Sequence, residues 1–221
     1  MSILSIQKKS RSLSDRSSSI GTLAEIISGM KSAITPHTET LLELFHRALS
    51  DPEYEVLSNA AFATGLLVEY SDVDLSPQLG HVLQVLHPLF INIPQDAPVT
   101  RLTAKDNATG AVGRIILRYS NSVPLQQVLP IFISALPLKN DPLENRPVFR
   151  ALFHLFKTNG AAMYPYMDQL LAAFAYVLDP TLEDQIGDEV RTELIHLIAL
   201  INQEEPSKVQ AAGLSVFLPG A

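Results

Sequence analysis

Five prolines, Pro36, Pro77, Pro124, Pro165 and Pro206, recur at intervals of 41, 47, 41 and 41 residues, each close to the start of an apolar-periodic segment. Proline fits the first turn of a helix, where its missing N–H has no intrahelical partner to lose. A period of about 40–47 residues is one helix–turn–helix unit of a HEAT-type solenoid. The spacing predicts an all-α fold, a right-handed α-solenoid (superhelix) of about four to five HEAT repeats. Such a rod builds no pocket by its topology, so function is expected on the long surface it displays.

Composition narrows the classes. Hydrophobic residues make up 47% of the 221-residue chain, enough for a sizeable core, and with aromatics at 7% and no Trp that mass is mainly Leu, Ile, Val and Ala. This suits helix-on-helix packing. The absence of Cys removes disulfides, thiolate-bound zinc and thiol nucleophiles together. The longest uninterrupted apolar run, residues 170–178, is too short to cross a bilayer, and no basic start followed by a long apolar stretch marks a signal peptide. An abrupt start without a capping unit suggests part of something longer.

Charge is unevenly placed. Lys8, Lys9, Arg11 and Arg16 against Asp15 give the first 20 residues a local +3, which leaves −10 on the remainder of a chain whose net charge is −7. An acidic body argues against direct nucleic-acid binding, since phosphates require Lys and Arg. It favours basic partners through steering, or else, as charge alone favours, simply keeps a large rod in solution.

Residues 1–14, rich in Ser and Lys, are expected to be a frayed or linker-like start, and residues 15–221 to form the solenoid, with Asp15 or Ser17 capping its first helix. Helix pairs, A then B, are expected at 36–50 and 53–70, 76–91 and 102–119, 123–136 and 143–157, and 163–178 and 183–201. A further helix begins at Pro206. Two B helices are visibly related: residues 59–68 and 107–116 share Asn, Ala, Ala and Gly at a constant offset of 48. Helical projection turns Ala108, Ala111, Val112, Ile115 and Ile116 toward the A partner. It leaves Asp106, Gly110, Gly113 and Leu117 opposite, with Asn107 on the flank. The equivalent face of the preceding B helix carries Ser58, Phe62, Gly65 and Glu69, flanked by Asn59. The last full B helix carries Asp188, Thr192 and Ala199, flanked by Asp184 and Glu189.

Equivalent positions on stacked B helices form ladders. Exposed glycines there would admit a bound backbone, and Asn and acidic side chains offer acceptors to a lysine ammonium, which has three donors and no acceptor. Asn107 with Glu144, neighboured by Asp106 and Asp141, is the leading candidate pocket, and Asn59, Glu69 and Asp188 are further cargo-binding candidates. Acidic residues also gather at helix N-termini for capping and dipole reasons alone.

On these residues the chain resembles the C-terminal HEAT repeats of a β-karyopherin nuclear import receptor, of the importin-4 branch. The likeness is carried by Asp51-Pro52-Glu53-Tyr54-Glu55-Val56 with Asn59-Ala60-Ala61, by Asp106-Asn107-Ala108-Thr109-Gly110-Ala111, and by Leu136-Pro137-Leu138-Lys139 with Glu144. The resemblance implies a superhelical receptor that shuttles between cytoplasm and nucleus with basic cargo such as histone tails and ribosomal proteins. It implies binding of the small GTPase Ran through repeats not in this chain, and contacts with Phe-Gly nucleoporins. It also implies a C-terminal groove for lysines of import signals, matching Asn107 and Glu144. Leu143 stands where a second acidic residue is expected, which predicts a weaker pocket. The alternative is a HEAT scaffold joining proteins without a transport role.

No catalytic set, cofactor motif or metal-ligand spacing occurs, and the six histidines read as surface or groove-edge residues. Asn107-Ala108-Thr109 matches a glycosylation sequon only by accident of a helical segment.

Overall fold

The computed structural model describes residues 12–218. The described residues contain α-helices and short 3-10 turns and no strand, an all-α architecture of HEAT-solenoid type. The chain divides into two compact units, Met1–Pro124 and Leu125–Ala221.

The first unit holds α1 (Leu13–Met30), α2 (Thr38–Ala48), α3 (Tyr54–Tyr70), α4 (Leu79–Leu86) and α5 (Val99–Tyr119). Helix α3 lies between α1 and α5, with α2 packed on α3 and α4 on α5. The core follows the apolar stripes: Ile20, Ile27, Leu44, Phe45, Val56, Leu67, Leu86 and Ile115 are all fully buried. The second unit holds α6 (Leu125–Ser134), α7 (Asn145–Met163), α8 (Met167–Leu178), α9 (Gly187–Glu204) and α10 (Pro206–Ala211). Here α7 packs on α9, and α8 contacts both α6 and α10. Phe149 and Phe174 meet with ring centroids 5.8 Å apart, inside a core that includes Phe132, Leu152, Leu170, Leu194 and Ile198.

The proline period marks the starts of the A helices. Pro36, Pro77 and Pro165 sit in 3-10 turns (Lys31–His37, Ser76–Gln78 and Tyr164–Tyr166) that run into α2, α4 and α8. Pro124 immediately precedes α6, and Pro206 opens α10. Of the expected frayed start, residues 1–11 lie outside the described residues, whereas 13 and 14 are already helical. The cap of α1 is Ser12, whose Oγ accepts from the Asp15 N–H at 3.1 Å; neither Asp15 nor Ser17 caps it. Helix α7 extends past the expected end at 157, but Asn159 breaks its regular geometry (φ −139°, ψ 37°).

Side chains lock the B helices at both ends. Arg101 donates to the carbonyls of Pro88 (3.2 Å) and Ile91 (3.0 Å) and lies over the Tyr54 ring, tying the start of α5 to the segment after α4. At the other end the Tyr119 hydroxyl accepts from the Leu75 N–H and donates to the Val73 carbonyl, holding the α3–α4 connection.

Candidate functional site

The related asparagines perform the same structural task. Asn59 Nδ2 donates to the Ser17 carbonyl and to Ser17 Oγ, both at 3.0 Å, reaching from α3 back to α1. Asn107 Nδ2 donates to Ser58 Oγ at 2.9 Å, reaching from α5 back to α3, and to the Thr103 carbonyl at 3.3 Å. Each amide thus spends an N–H on the preceding helix. The Asn59 oxygen meets no donor among the described residues.

At Asn59 this arrangement opens a notch of about 210 Å³ lined by Ser17, Glu55, Ser58, Asn59, Val99, Thr100 and Thr103. Glu55 is exposed and stands one helical turn before Asn59, so a carboxylate, an amide oxygen and hydroxyls converge there. Glu55, Thr100 and Thr103 were not singled out from sequence as acceptors. The i, i+4 spacing of Glu55 and Asn59 on α3 was the available signal.

The other positions differ in setting. Asp106 is completely buried, with the Lys105 ammonium 3.4 Å from its Oδ1. Asn107 is 5% exposed. Gly110 and Gly113, expected to be exposed, are buried. Ala111 does not turn to the A partner alone: its Cα lies where a Cβ on Gly65 would stand only 2.9 Å away, so these small residues serve close approach of α3 and α5. Glu69 is held by Arg114, whose Nε donates at 2.8 Å, while Arg118 donates to the Glu69 carbonyl.

In the second unit, Glu144 ends the 3-10 turn Pro142–Glu144 and is 2% exposed; its N–H donates to the Asp141 carbonyl at 3.2 Å. Beside it, Asn145 is fully buried and neither atom of its amide has a hydrogen-bond partner among the described residues. Leu143 points outward, 76% exposed. Asp188 is exposed on the first turn of α9. The Asp184 carboxylate accepts from the Gly187 and Ile186 N–H groups, which, aided by Arg191 and Arg146, hold it below the usual range. Glu189 pairs with Arg150 at 3.0 Å. Asn107 belongs to the first unit and Glu144 and Asp141 to the second.

Among the described residues no group of three His, Asp or Glu side chains could hold a metal ion, and no helix is long and apolar enough to cross a membrane. The exposed helix starts offer oxygen acceptors at Glu55 and Asp188, whereas Asn107 and Glu144 are buried.

Helix pairs of this kind are the architecture of HEAT-repeat proteins. Sequence comparison makes this specific. The probable importin subunit beta-4 of Schizosaccharomyces pombe is 39% identical over 200 residues, covering 90% of this chain and 18% of the relative. Importin-4 of Homo sapiens is 26% identical and that of Mus musculus 24% identical, each over 205 residues, 93% of this chain and 18% of the relative. Over about nine-tenths of its length the chain is thus similar to proteins named importin-4 or importin subunit beta-4. It spans about a fifth of the length of these relatives. No protein-family model matches the chain.

Proposed function

We propose that this chain is the cargo-receiving part of a nuclear import receptor and that it holds extended lysine-rich segments. The observation that carries this reading is the setting of Asn59 in a notch with Glu55. Its amide N–H is bonded to Ser17 on α1, which leaves its carbonyl oxygen suited to accept from an ammonium. Glu55 adds a carboxylate beside Asn59. In the second unit the candidate carboxylate is Glu144, which is 2% exposed. Asp188, exposed on the first turn of α9, adds negative charge in the second unit, whereas Asp106 and Glu69 are paired with Lys105 and Arg114. Charge-assisted bonds to lysine are individually worth about 1.5–3 kcal/mol.

In the whole receptor the cargo would be histone tails or ribosomal proteins. Ran would bind through other repeats, Phe-Gly nucleoporins would carry the complex through the pore, and the receptor would shuttle between cytoplasm and nucleus. The role is binding, without a catalytic step.

The test is titration of a lysine-rich histone H3 tail peptide against the wild-type chain and against Asn107→Ala/Glu144→Ala. Binding is expected to weaken about tenfold or more in the double variant, and to weaken in the wild type as ionic strength rises. Unchanged affinity in the variant removes the assignment of these two residues. Affinity indifferent to salt favours an apolar scaffold instead.

A further inference from the structure

The second unit carries an apolar groove that the lysine acceptors do not use. It runs between the C-terminal half of α7 and the outward face of α9 and has a volume of about 510 Å³. Its floor is built from Phe153, Phe156, Tyr164 and Leu200. Leu200 is 61% exposed and Tyr164 44% exposed, although the core face of α9 is already supplied by Val190, Leu194, Ile198 and Ile201. The wall of the groove is also where α7 loses regular helix geometry at Asn159, and a Cβ on neighbouring Gly160 would meet nothing within 4 Å. Packing against the rest of the unit therefore leaves this space open and apolar.

The rim is acidic. Glu193, Glu204 and Glu205 border the apolar floor, and their carboxylates form no ion pair or hydrogen bond with the described residues. Lys157 and His196 are the basic groups of the lining. An occupant must offer a large apolar side chain for the floor and cations for at least two of the three glutamates.

We propose that this groove is a second docking site, which takes a peptide segment presenting one aromatic or large aliphatic side chain bordered by lysine or arginine. In an extended peptide, residues two positions from the anchor project from the same side about 7 Å away. That spacing lets one side chain enter the floor while its neighbours reach the glutamates. The site shares no residue with the acceptors at 55, 59, 107 and 144, so it stands or falls separately from them.

Fluorescence anisotropy with the full chain tests it, using a short synthetic peptide with one phenylalanine and a lysine two residues to either side. Two control peptides replace the phenylalanine by serine or both lysines by glutamine. The first peptide is expected to bind about tenfold more tightly than either control. Gly160→Leu fills the groove, Leu200→Asp charges its floor, and Glu204→Gln/Glu205→Gln neutralises its rim. Each should weaken the first peptide about tenfold, while circular dichroism melting confirms the fold. Asn107→Ala/Glu144→Ala should leave that peptide's affinity unchanged. Equal binding of the glutamine control overturns the basic-partner assignment. Equal binding of the serine control, or indifference to both Gly160→Leu and the rim variant, overturns the groove.

Discussion

Gly65 on α3 and Ala111 on α5 lie so close that a Cβ added to Gly65 would stand 2.9 Å from the Ala111 Cα and 3.2 Å from its Cβ. The obstructing atom is backbone, so relief requires α3 and α5 to separate. Gly65→Ala should cost about 1–3 kcal/mol by overpacking, despite the better helix propensity of alanine. Urea denaturation reads the loss. An unchanged midpoint would mean that the two helices slide past one another freely.

The Asn59 amide ties α3 to α1 through both acceptors of Ser17. Asn59→Ala should cost about 1 kcal/mol. A double-mutant cycle with Ser17→Ala should show a coupling of about 0.5 kcal/mol or more, smaller than the single loss because the Ser17 carbonyl remains as an acceptor. Strict additivity would show that the hydroxyl contact contributes nothing.

His46 supplies a pH dependence. Burial, and then the neighbouring His81 at a ring-centroid distance of 4.5 Å, hold its pKa below the ordinary imidazole value, and its Nε2 is buried without a hydrogen-bond partner. The unfolded chain protonates this imidazole below about pH 6.5, while the folded chain does so only at lower pH. Between the two values the unfolded state binds more protons, so stability falls as pH drops through that window. Denaturation midpoints should decrease from about pH 7.5 to about pH 5.5, and His46→Leu should shrink that decrease. An identical slope in the variant would place the titration elsewhere.

Gly187 opens α9 with φ +76°, a left-handed conformation that side chains rarely adopt. A Cβ there would also stand 2.9 Å from Arg146 Nη2, but that guanidinium can move, so the backbone conformation decides the outcome. Gly187→Ala should destabilise by about 1–2 kcal/mol, and Gly187→Asn by less, because asparagine tolerates this region better. Thermal unfolding monitored by circular dichroism distinguishes them.

Most of the architecture was legible before any coordinates. Helix pairing followed from the proline period and from apolar residues at helical spacing, both of which are local properties of the chain. The set Ala108, Ala111, Val112, Ile115 and Ile116 is buried, although it was read as facing the A partner and Ala111 meets Gly65 of α3. The repeated Asn59 and Asn107 were visible as a pattern, and Leu143 was visible as the residue beside Glu144.

Helical projection failed where α5 is covered on more than one face. It places residues around an axis but does not say how many neighbours surround that axis. Asp106, Gly110 and Gly113 were therefore read as exposed and are buried, and Gly65 accommodates α5 rather than a ligand backbone. The pairing of Glu69 with Arg114 and the notch joining Glu55 to Thr100 and Thr103 arise between residues about 45 positions apart. The periodic sequence determined that helices form and pair, because hydrogen bonding and apolar burial act along one or two turns. Tertiary packing alone decided which polar groups stay open to a partner, because that depends on the side chains a neighbouring helix brings into reach.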